Sequence, residues 1–290
     1  MRANVFAVII GILSGAVVSS AQTAPATGTG PGQTTYSTAY CAGFIKDSKL
    51  PEDLRVVSGE QAGYKVAFGQ SDHVYLNQGS SNGVRVGDRF MVVRQDEDYA
   101  KTEWFKGQMR VSRAMGTLYS DIGQLRVVSV EAKSSVAEVI FSCRYMQRGD
   151  IARPFEERPL PPLKEGTFDH FAPPSGKPVG TLVTSVDFQQ SSGQGATVYI
   201  NLGAAQGIKV GDYVRVFRYQ GKTNEYAPQT KGYVYEIYGF GSSPTRYEGK
   251  DLPREVLGEG VVMNASRNAA TVFLTFSSAD IYMGDTVEIE

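Results

Sequence analysis

The sequence is poor in the side chains from which metal centres are usually built. Its 290 residues include only 2 histidines, 2 cysteines and 1 tryptophan. These numbers leave little room for a site with several His or Cys ligands, so we expect no metal and no cofactor. An excess of charge of one sign is also lacking, because 29 basic residues face 30 acidic ones. Nucleic-acid binding proteins carry a basic surface, so nucleic acid is not expected as a partner.

Long apolar runs are scarce, and the one that stands out lies at the start of the chain. Residues 1–21 have the pattern of a secretory signal peptide: Arg2, an uncharged run from Val5 to Val18, and the small residues Ser19-Ser20-Ala21. The alternative is a membrane anchor, but the run is shorter than the ~20 residues that span a bilayer. We therefore expect a periplasmic or secreted protein, with outer-membrane association as a further option and no transmembrane segment in the mature chain.

The rest of the composition is that of a folded chain with many short strands and tight turns. Hydrophobic residues make up 41% and charged residues 20%, with 32 glycines, 16 tyrosines and 14 phenylalanines. Residues 22–39 are different, since they consist largely of Thr, Gly, Pro, Ala and Gln. Such a segment cannot bury a core and is expected to be a flexible leader.

The chain contains an internal repeat. Residues 74–94 align without gaps with residues 198–218, and 10 of the 21 positions are identical. A second pair of blocks follows in each copy, where Phe141-Ser142 matches Phe276-Ser277 and Gly149-Asp150 matches Gly284-Asp285. The repeat predicts two similar domains, residues 40–155 and 177–290. Residues 156–176 contain five prolines and are predicted to be a semi-rigid linker between them.

Both copies have the pattern of β-structure. Short runs of β-branched, aromatic and aliphatic residues are separated by Gly- and Asn-containing turns, which is typical of strands. No long segment shows helical periodicity, although a short helix is predicted around residues 96–106. The predicted fold class is all-β, with two tandem small antiparallel β-barrel-like domains. The predicted strands include Val74–Leu76, Phe90–Val93, Leu125–Val128 and Ala137–Phe141 in the first copy, and Val198–Ile200, Val214–Phe217, Gly260–Met263 and Thr271–Phe276 in the second.

Glycine, aspartate and asparagine recur at matching places and are interpreted as structural turn residues. Glycine tolerates positive φ, and Asp or Asn side chains accept hydrogen bonds from nearby backbone amides. Small antiparallel barrels need such corners. The predicted turn residues are Asn77, Gly79, Gly83, Gly87, Asp88, Gly149 and Asp150 in the first copy, and Asn201, Gly203, Gly207, Gly211, Asp212, Gly284 and Asp285 in the second.

These blocks resemble a known family. The run VYLNQGSSNGVRVGDRFMVVR, a later Val-x-Val strand and a closing M-x-x-GD are similar to the C-terminal domain of the flagellar assembly protein T family, a small periplasmic β-barrel. The resemblance covers the two blocks of each copy. It implies a non-enzymatic, ring-building or envelope-associated role. The present chain differs from that family because it carries the unit twice.

A search for catalytic residues gives no candidate. Residues 79–83 fit G-x-S-x-G, but a nucleophile elbow requires a strand-to-helix turn in an α/β sheet. In the second copy the central serine, Ser81, is replaced by Ala205 while the flanking glycines remain. The glycines therefore serve a turn, and the chain is not expected to be an enzyme.

Aromatic residues in the inserts that follow Arg94 and Arg218 are the candidate interface. Aromatic side chains anchor protein interfaces and stack on sugars, but they also fill cores, and both interpretations remain open. The region from Tyr219 to Tyr247 is expected to project as a longer hairpin. The candidates are Trp104, Phe105, Tyr226, Tyr233, Tyr235, Tyr238 and Phe240.

The two cysteines are predicted to form a disulfide. Cys41 and Cys143 both lie in the first copy of a chain expected to be exported, where disulfides persist. Two buried free thiols are the alternative.

Two functions follow from these observations. The first is an exported structural or assembly protein of the cell envelope that acts through protein contacts, including homo-oligomers or rings. The alternative is a module that binds peptidoglycan or exopolysaccharide.

Overall fold

The computed structural model describes residues 34–97, 103–164, 168–219 and 253–290. The expected signal peptide and most of the leader, together with Tyr226, Tyr233, Tyr235, Tyr238 and Phe240, lie outside the described residues. The regular secondary structure of the described residues is mainly β-strand, which confirms the predicted all-β fold class. Its strands form two main sheets that follow the two copies, together with one two-stranded ribbon.

Domain one contains strands β1 to β7. A five-residue helix, α1 (Tyr36–Tyr40), precedes the sheet, and α2 (Gln108–Met115) lies between β4 and β5. The strands are β1 (Phe44–Lys46), β2 (Val56–Gly59), β3 (His73–Leu76), β4 (Arg89–Gln95), β5 (Thr117–Val130), β6 (Ser135–Ser142) and β7 (Ile151–Pro154). They pair in the order β2-β3-β6-β5-β4-β7, with β1 on β5, as a curled sheet.

Domain two contains strands β8 to β15 and is a closed barrel. The strands are β8 (Val179–Ser185), β9 (Ser191–Ser192), β10 (Thr197–Ile200), β11 (Tyr213–Arg218), β12 (Glu255–Ala265), β13 (Ala270–Ser277), β14 (Ile281–Tyr282) and β15 (Thr286–Ile289). The barrel order is β10-β13-β12-β11-β15-β8, and β8 returns to β10. β9 and β14 form a small separate ribbon.

The two domains share one strand order and differ at one seam. In domain two, β15 and β8 close the barrel through three residue pairs. In domain one, the corresponding seam has an isolated bridge between Ile151 of β7 and Arg55, the residue that precedes β2. The structure has the two predicted barrel-like domains, and domain two is the one that forms a fully closed barrel.

The apolar core of each domain comes from the predicted strand runs. In β6 the burial alternates along the strand, which is the pattern of a strand with one face on the core. The core of domain one includes Val74, Leu76, Val92, Leu125, Val127 and Val139, and that of domain two includes Val198, Ile200, Val214, Val216, Val262 and Val272.

The predicted helix at residues 96–106 is wrong. Where this region is described, residues 96–97 and 103–106 are not helical, and α2 begins at Gln108. Gly107, at φ 88°, has the left-handed backbone conformation, which places a sharp change of direction directly before the helix. The buried residues of α2 include Gln108 and Met115.

The predicted disulfide is confirmed. Cys41 follows α1, and Cys143 directly follows β6; their Cα atoms are 5.5 Å apart. The bond spans 102 positions of sequence. It ties the segment before β1 to the end of β6.

The two domains pack against each other. Strand β5 is buried continuously from Leu118 to Leu125, which requires cover on both faces of the strand. Ile122 and Leu125 face the core of domain one, whereas Leu118 packs with Val183 and Tyr199 of domain two. The contact between the domains is thus part of the apolar interior.

Candidate functional site

The four Gly-Asp pairs form one repeated turn. Asp88 Oδ2 accepts a hydrogen bond from the Arg85 amide at 2.8 Å, and Asp212 Oδ2 accepts one from the Lys209 amide at the same distance. The other two pairs have the same geometry, in which the aspartate accepts from the amide three residues earlier: Asp150 from Gln147 at 2.8 Å and Asp285 from Tyr282 at 2.7 Å. In each case the aspartate directly precedes a strand.

Glycine occupies the predicted turn positions for two different structural reasons. Six have left-handed backbone conformations, at matching positions: Gly83, Gly87 and Gly149 in domain one, and Gly207, Gly211 and Gly284 in domain two. Gly79 and Gly203 instead have extended backbone and lie against a neighbouring hairpin. A Cβ on Gly79 would overlap the Glu131 carbonyl oxygen, so this position excludes a side chain.

The two asparagines hold the strand next to their own. Asn77 Oδ1 accepts from the Arg55 amide at 2.7 Å, and Asn201 Oδ1 accepts from the Thr181 amide at 2.6 Å. These contacts give the predicted turn residues an architectural role.

Sequence reasoning missed a pair of buried ion pairs. Asp150 binds the Arg94 guanidinium at 2.7 and 2.9 Å, and Asp285 binds that of Arg218 at 2.8 and 2.6 Å. Both aspartate side chains are almost fully buried. The signal was present in the sequence, because all four residues fall at matching positions of the aligned blocks.

Two of the candidate aromatic residues contact domain two of the same chain. Trp104 and Phe105 precede α2 and pack against the apolar core of the closed barrel. The Phe105 ring lies over Gly284, where a Cβ would come within 3.2 Å of it. Further along, Gln108 is buried and donates from Nε2 to the Val183 carbonyl at 2.7 Å. The described residues of this insert from Trp104 to Gln108 thus contribute to the interface between the two domains.

A charged cluster joins the linker to the outer face of domain two. Lys164 of the linker lies 2.8 Å from Glu290 and 3.6 Å from Glu259, and Arg215 contacts the same two carboxylates. Burial and the neighbouring Glu290 raise the pKa of Glu259. Sequence spacing does not reveal this pair of carboxylates, because the two glutamates come from β12 and the end of the chain. Lys164 and Arg215 each contact both carboxylates, and through Lys164 the cluster attaches the linker to domain two.

A second ion pair is more deeply buried. Arg254 Nη2 donates to Glu288 Oε1 at 2.6 Å, and both side chains are nearly inaccessible to water. Burial disfavours the carboxylate, but the Arg254 guanidinium and the Ser175 amide hold the pKa of Glu288 below its usual value. This pair attaches the end of the linker to the barrel, since Arg254 also donates to the Ala172 and Pro173 carbonyls.

An aromatic patch is exposed where the linker meets domain two. It consists of Phe168, His170 and Phe171 from the linker and Phe276 from β13, and we call it the linker aromatic patch. The ring centroids of Phe168 and Phe276 are 4.6 Å apart, and those of His170 and Phe171 are 4.8 Å apart. Phe171 is 59% exposed and Phe276 38%. His170 Nε2 lies 3.2 Å from Glu255 Oε1, which adds a polar edge.

Among the described residues, no group of three or more His, Cys, Asp or Glu side chains is placed to hold a metal ion. The described helices include none that is long and apolar enough to cross a membrane. Ser81 lies in an exposed 3₁₀ turn, and its counterpart Ala205 lies in the same turn of domain two.

Comparison of the sequence with models of known protein families gives no match, and a search of curated proteins finds no similar chain.

Proposed function

We propose that this chain is an exported, non-enzymatic structural or assembly protein of the cell envelope, which acts through protein–protein contacts. The observation that carries the proposal is the docking of its two domains. Two copies of one β-unit pack through an apolar interior, and the aromatic insert of the first copy lies on the second. Such packing fixes the positions of two similar surfaces relative to each other, which a scaffold needs for assembly.

The linker supports the same proposal. It is held to domain two by the Lys164 cluster and by the buried pair of Arg254 and Glu288. It is also held to domain one, where Arg158 forms two hydrogen bonds with the buried carboxylate of Asp121, at 2.6 and 2.8 Å. A linker fastened at both ends favours a rigid two-domain body over two independent binding modules.

The linker aromatic patch is the surface that we propose for a protein partner. Exposed aromatic side chains anchor interfaces because they bury a large area at low entropic cost. The resemblance to the flagellar assembly protein T family supports a ring or envelope assembly as the setting, including assembly with further copies of the chain.

The test is crosslinking of the tagged chain in its native host, followed by identification of the neighbours. Phe171→Ser is the informative variant, because a side chain that is 59% exposed can be changed with little effect on folding. Val86→Ser is the matched control, since Val86 is 66% exposed in the turn that precedes β4 of domain one. We expect crosslinks to envelope proteins that Phe171→Ser weakens and Val86→Ser does not. Crosslinks that the two variants affect equally would remove the patch from the proposal, and the absence of any envelope partner would remove the function itself.

Carbohydrate binding is the second candidate, and the same patch is the observation that favours it. Clustered rings beside the His170–Glu255 pair provide both a stacking surface and polar groups for hydroxyls. Sedimentation with purified sacculi and with exopolysaccharide distinguishes the two functions. Co-sedimentation that Phe171→Ser abolishes would support the carbohydrate candidate, and its absence would exclude it.

A further inference from the structure

The segment from Thr34 to Gly43, which we call the N-terminal clasp, contacts three parts of the molecule. Its first contact is with the linker. The amide and hydroxyl of Thr34 both donate to the Pro161 carbonyl, at 3.2 and 3.0 Å. Tyr40 Oη accepts from the Arg158 amide at 2.9 Å, and the Arg158 guanidinium donates to the Ala39 carbonyl at 3.0 Å.

The second contact of the clasp is with domain two. Tyr199 of β10 is fully buried and donates its hydroxyl to the Ala42 carbonyl at 2.9 Å. Thr271 of β13 donates to the Gly43 carbonyl at 3.3 Å. The side chains of Ala39, Tyr40 and Ala42 belong to one apolar cluster with Met91 of domain one and with Val261 and Met263 of domain two. The clasp therefore fills part of the joint between the domains.

The third contact is covalent, because Cys41, near the end of the clasp, is bonded to Cys143 of domain one. Both cysteine residues are half-buried, and exchange with a dithiol is the reaction that would break the bond. A dithiol reductant supplies two electrons and two protons; the S–S bond breaks, two cysteine thiols form, and the reductant becomes a disulfide.

We infer that the Cys41–Cys143 disulfide is a redox-sensitive latch, which holds the clasp in the joint and so controls how firmly the two domains are docked. This inference goes beyond the proposed function and does not depend on any partner. The latch is closed in an oxidising compartment and open in a reducing one.

Domain one itself does not need the sulfur at this position. The Cys143 amide donates to the Ile122 carbonyl at 2.9 Å, and in domain two the Ser278 amide donates to the corresponding Leu257 carbonyl at 2.8 Å. The same turn thus forms around a serine. Loss of the bond is expected to act on the clasp and leave the sheet of domain one in place.

The clasp is a weak element once the bond is broken. α1 has five residues, and so short a helix is unstable without tertiary support. Without the bond the clasp is held only by hydrogen bonds and apolar contacts. The Gly43 amide, which donates to Asp121 at 2.8 Å, anchors the end that leads into β1. Release of the preceding residues would remove the partner of the Tyr199 hydroxyl, leave Arg158 paired with Asp121 alone, and open the apolar cluster at the joint.

The test uses the single tryptophan of the chain as the reporter. Trp104 belongs to domain one but packs on the core of domain two, so separation of the domains exposes it to water. The purified chain is compared before and after reduction with dithiothreitol, at 10 °C, by tryptophan emission, far-ultraviolet circular dichroism and amide hydrogen exchange. Titration of thiols confirms that both cysteines are free.

We expect a red shift of the Trp104 emission and retained β-sheet dichroism. Hydrogen exchange should accelerate by about tenfold or more in residues 34–43 and at Arg158. Cys41→Ser/Cys143→Ser should reproduce the reduced state without reductant. Tyr199→Phe, which keeps the disulfide and removes one bond to the clasp, should produce a smaller change of the same kind.

Two results would overturn the latch. If both thiols are free but emission and exchange stay unchanged, the disulfide does not control the joint. If reduction and the double serine variant both abolish the dichroism, the bond holds the whole fold together and is no selective latch.

Discussion

The two matching Arg–Asp pairs allow one prediction to be tested twice in the same molecule, once in each domain. Asp150→Asn and Asp285→Asn make the same change in the two domains. In each, an asparagine keeps one oxygen for the amide of the turn but places an NH₂ group against the arginine. The bidentate ion pairs of Arg94 with Asp150 and of Arg218 with Asp285 are lost.

The expected cost follows from burial. The Asp150 and Asp285 side chains are 1% and 2% exposed, whereas those of Arg94 and Arg218 are 27% and 20% exposed. Breaking a fully buried ion pair costs about 3–5 kcal/mol, because one charge is left without a partner. Here water reaches part of each arginine, so we expect a loss of about 2–3 kcal/mol in the free energy of unfolding for each variant.

Urea denaturation followed by circular dichroism measures this loss. Asp88→Asn is the matched control, because Asp88 is half-buried and forms the same turn with the Arg85 amide. An asparagine can keep that bond, so its cost should stay below about 0.5 kcal/mol. A double-mutant cycle with Arg94→Met isolates the coupling in domain one. If Asp150→Asn costs no more than Asp88→Asn, the buried pair contributes nothing and the reasoning is wrong.

Three further predictions concern the barrel, a turn and the joint. The pKa of Glu288 is lowered in the folded state, so its stabilisation is present above the unfolded pKa of about 4.3 and is lost as pH falls through the folded value. Glu288→Gln removes this titrating group, so the urea midpoint of the variant should fall less steeply between pH 5 and pH 3, limits that hold to roughly one pH unit. A fall as steep as that of the unaltered chain would contradict this. Gly79→Ala should cost about 3 kcal/mol in urea denaturation because its Cβ overlaps backbone, whereas Gly63→Ala, with open space around it, should cost little. Phe105→Ala should destabilise by about 1–2 kcal/mol and red-shift the tryptophan emission, whereas Tyr64→Ala, at a side chain 98% exposed, should do neither.

The strands could be predicted from sequence wherever the repeat supplied two copies to compare. The run Val198–Ile200 became β10 (Thr197–Ile200), and Thr271–Phe276 became β13 (Ala270–Ser277). Strand β2 was missed because it has four residues and a bulge after Val56, which breaks the alternation that marks a strand. The disulfide was predictable because both cysteines fall in one copy and no third cysteine competes.

The joint between the domains could not be predicted in the same way. Aromatic side chains such as Trp104 and Phe105 occur both in cores and in interfaces. Only the three-dimensional path of the chain determines which surface they contact. The same holds for Tyr199, whose partner is the Ala42 carbonyl far earlier in the sequence. Local sequence patterns indicate which side chains are buried, but they do not indicate which residues pack against them.

The seam between the first and last barrel strands shows how two similar sequences close differently. The asparagine contacts align Leu54 with Gly180, and Gln78 with Leu202. In domain two the large residue is Leu202, and a Cβ on Gly180 would lie 2.5 Å from its Cγ, so glycine lets β8 pair with β15. In domain one Leu54, which precedes β2, and Gln78 occupy these two places, and a cavity of about 480 Å³ lies beside them. Of the two copies, the one that has glycine at this position of the closing strand is therefore the one whose barrel closes.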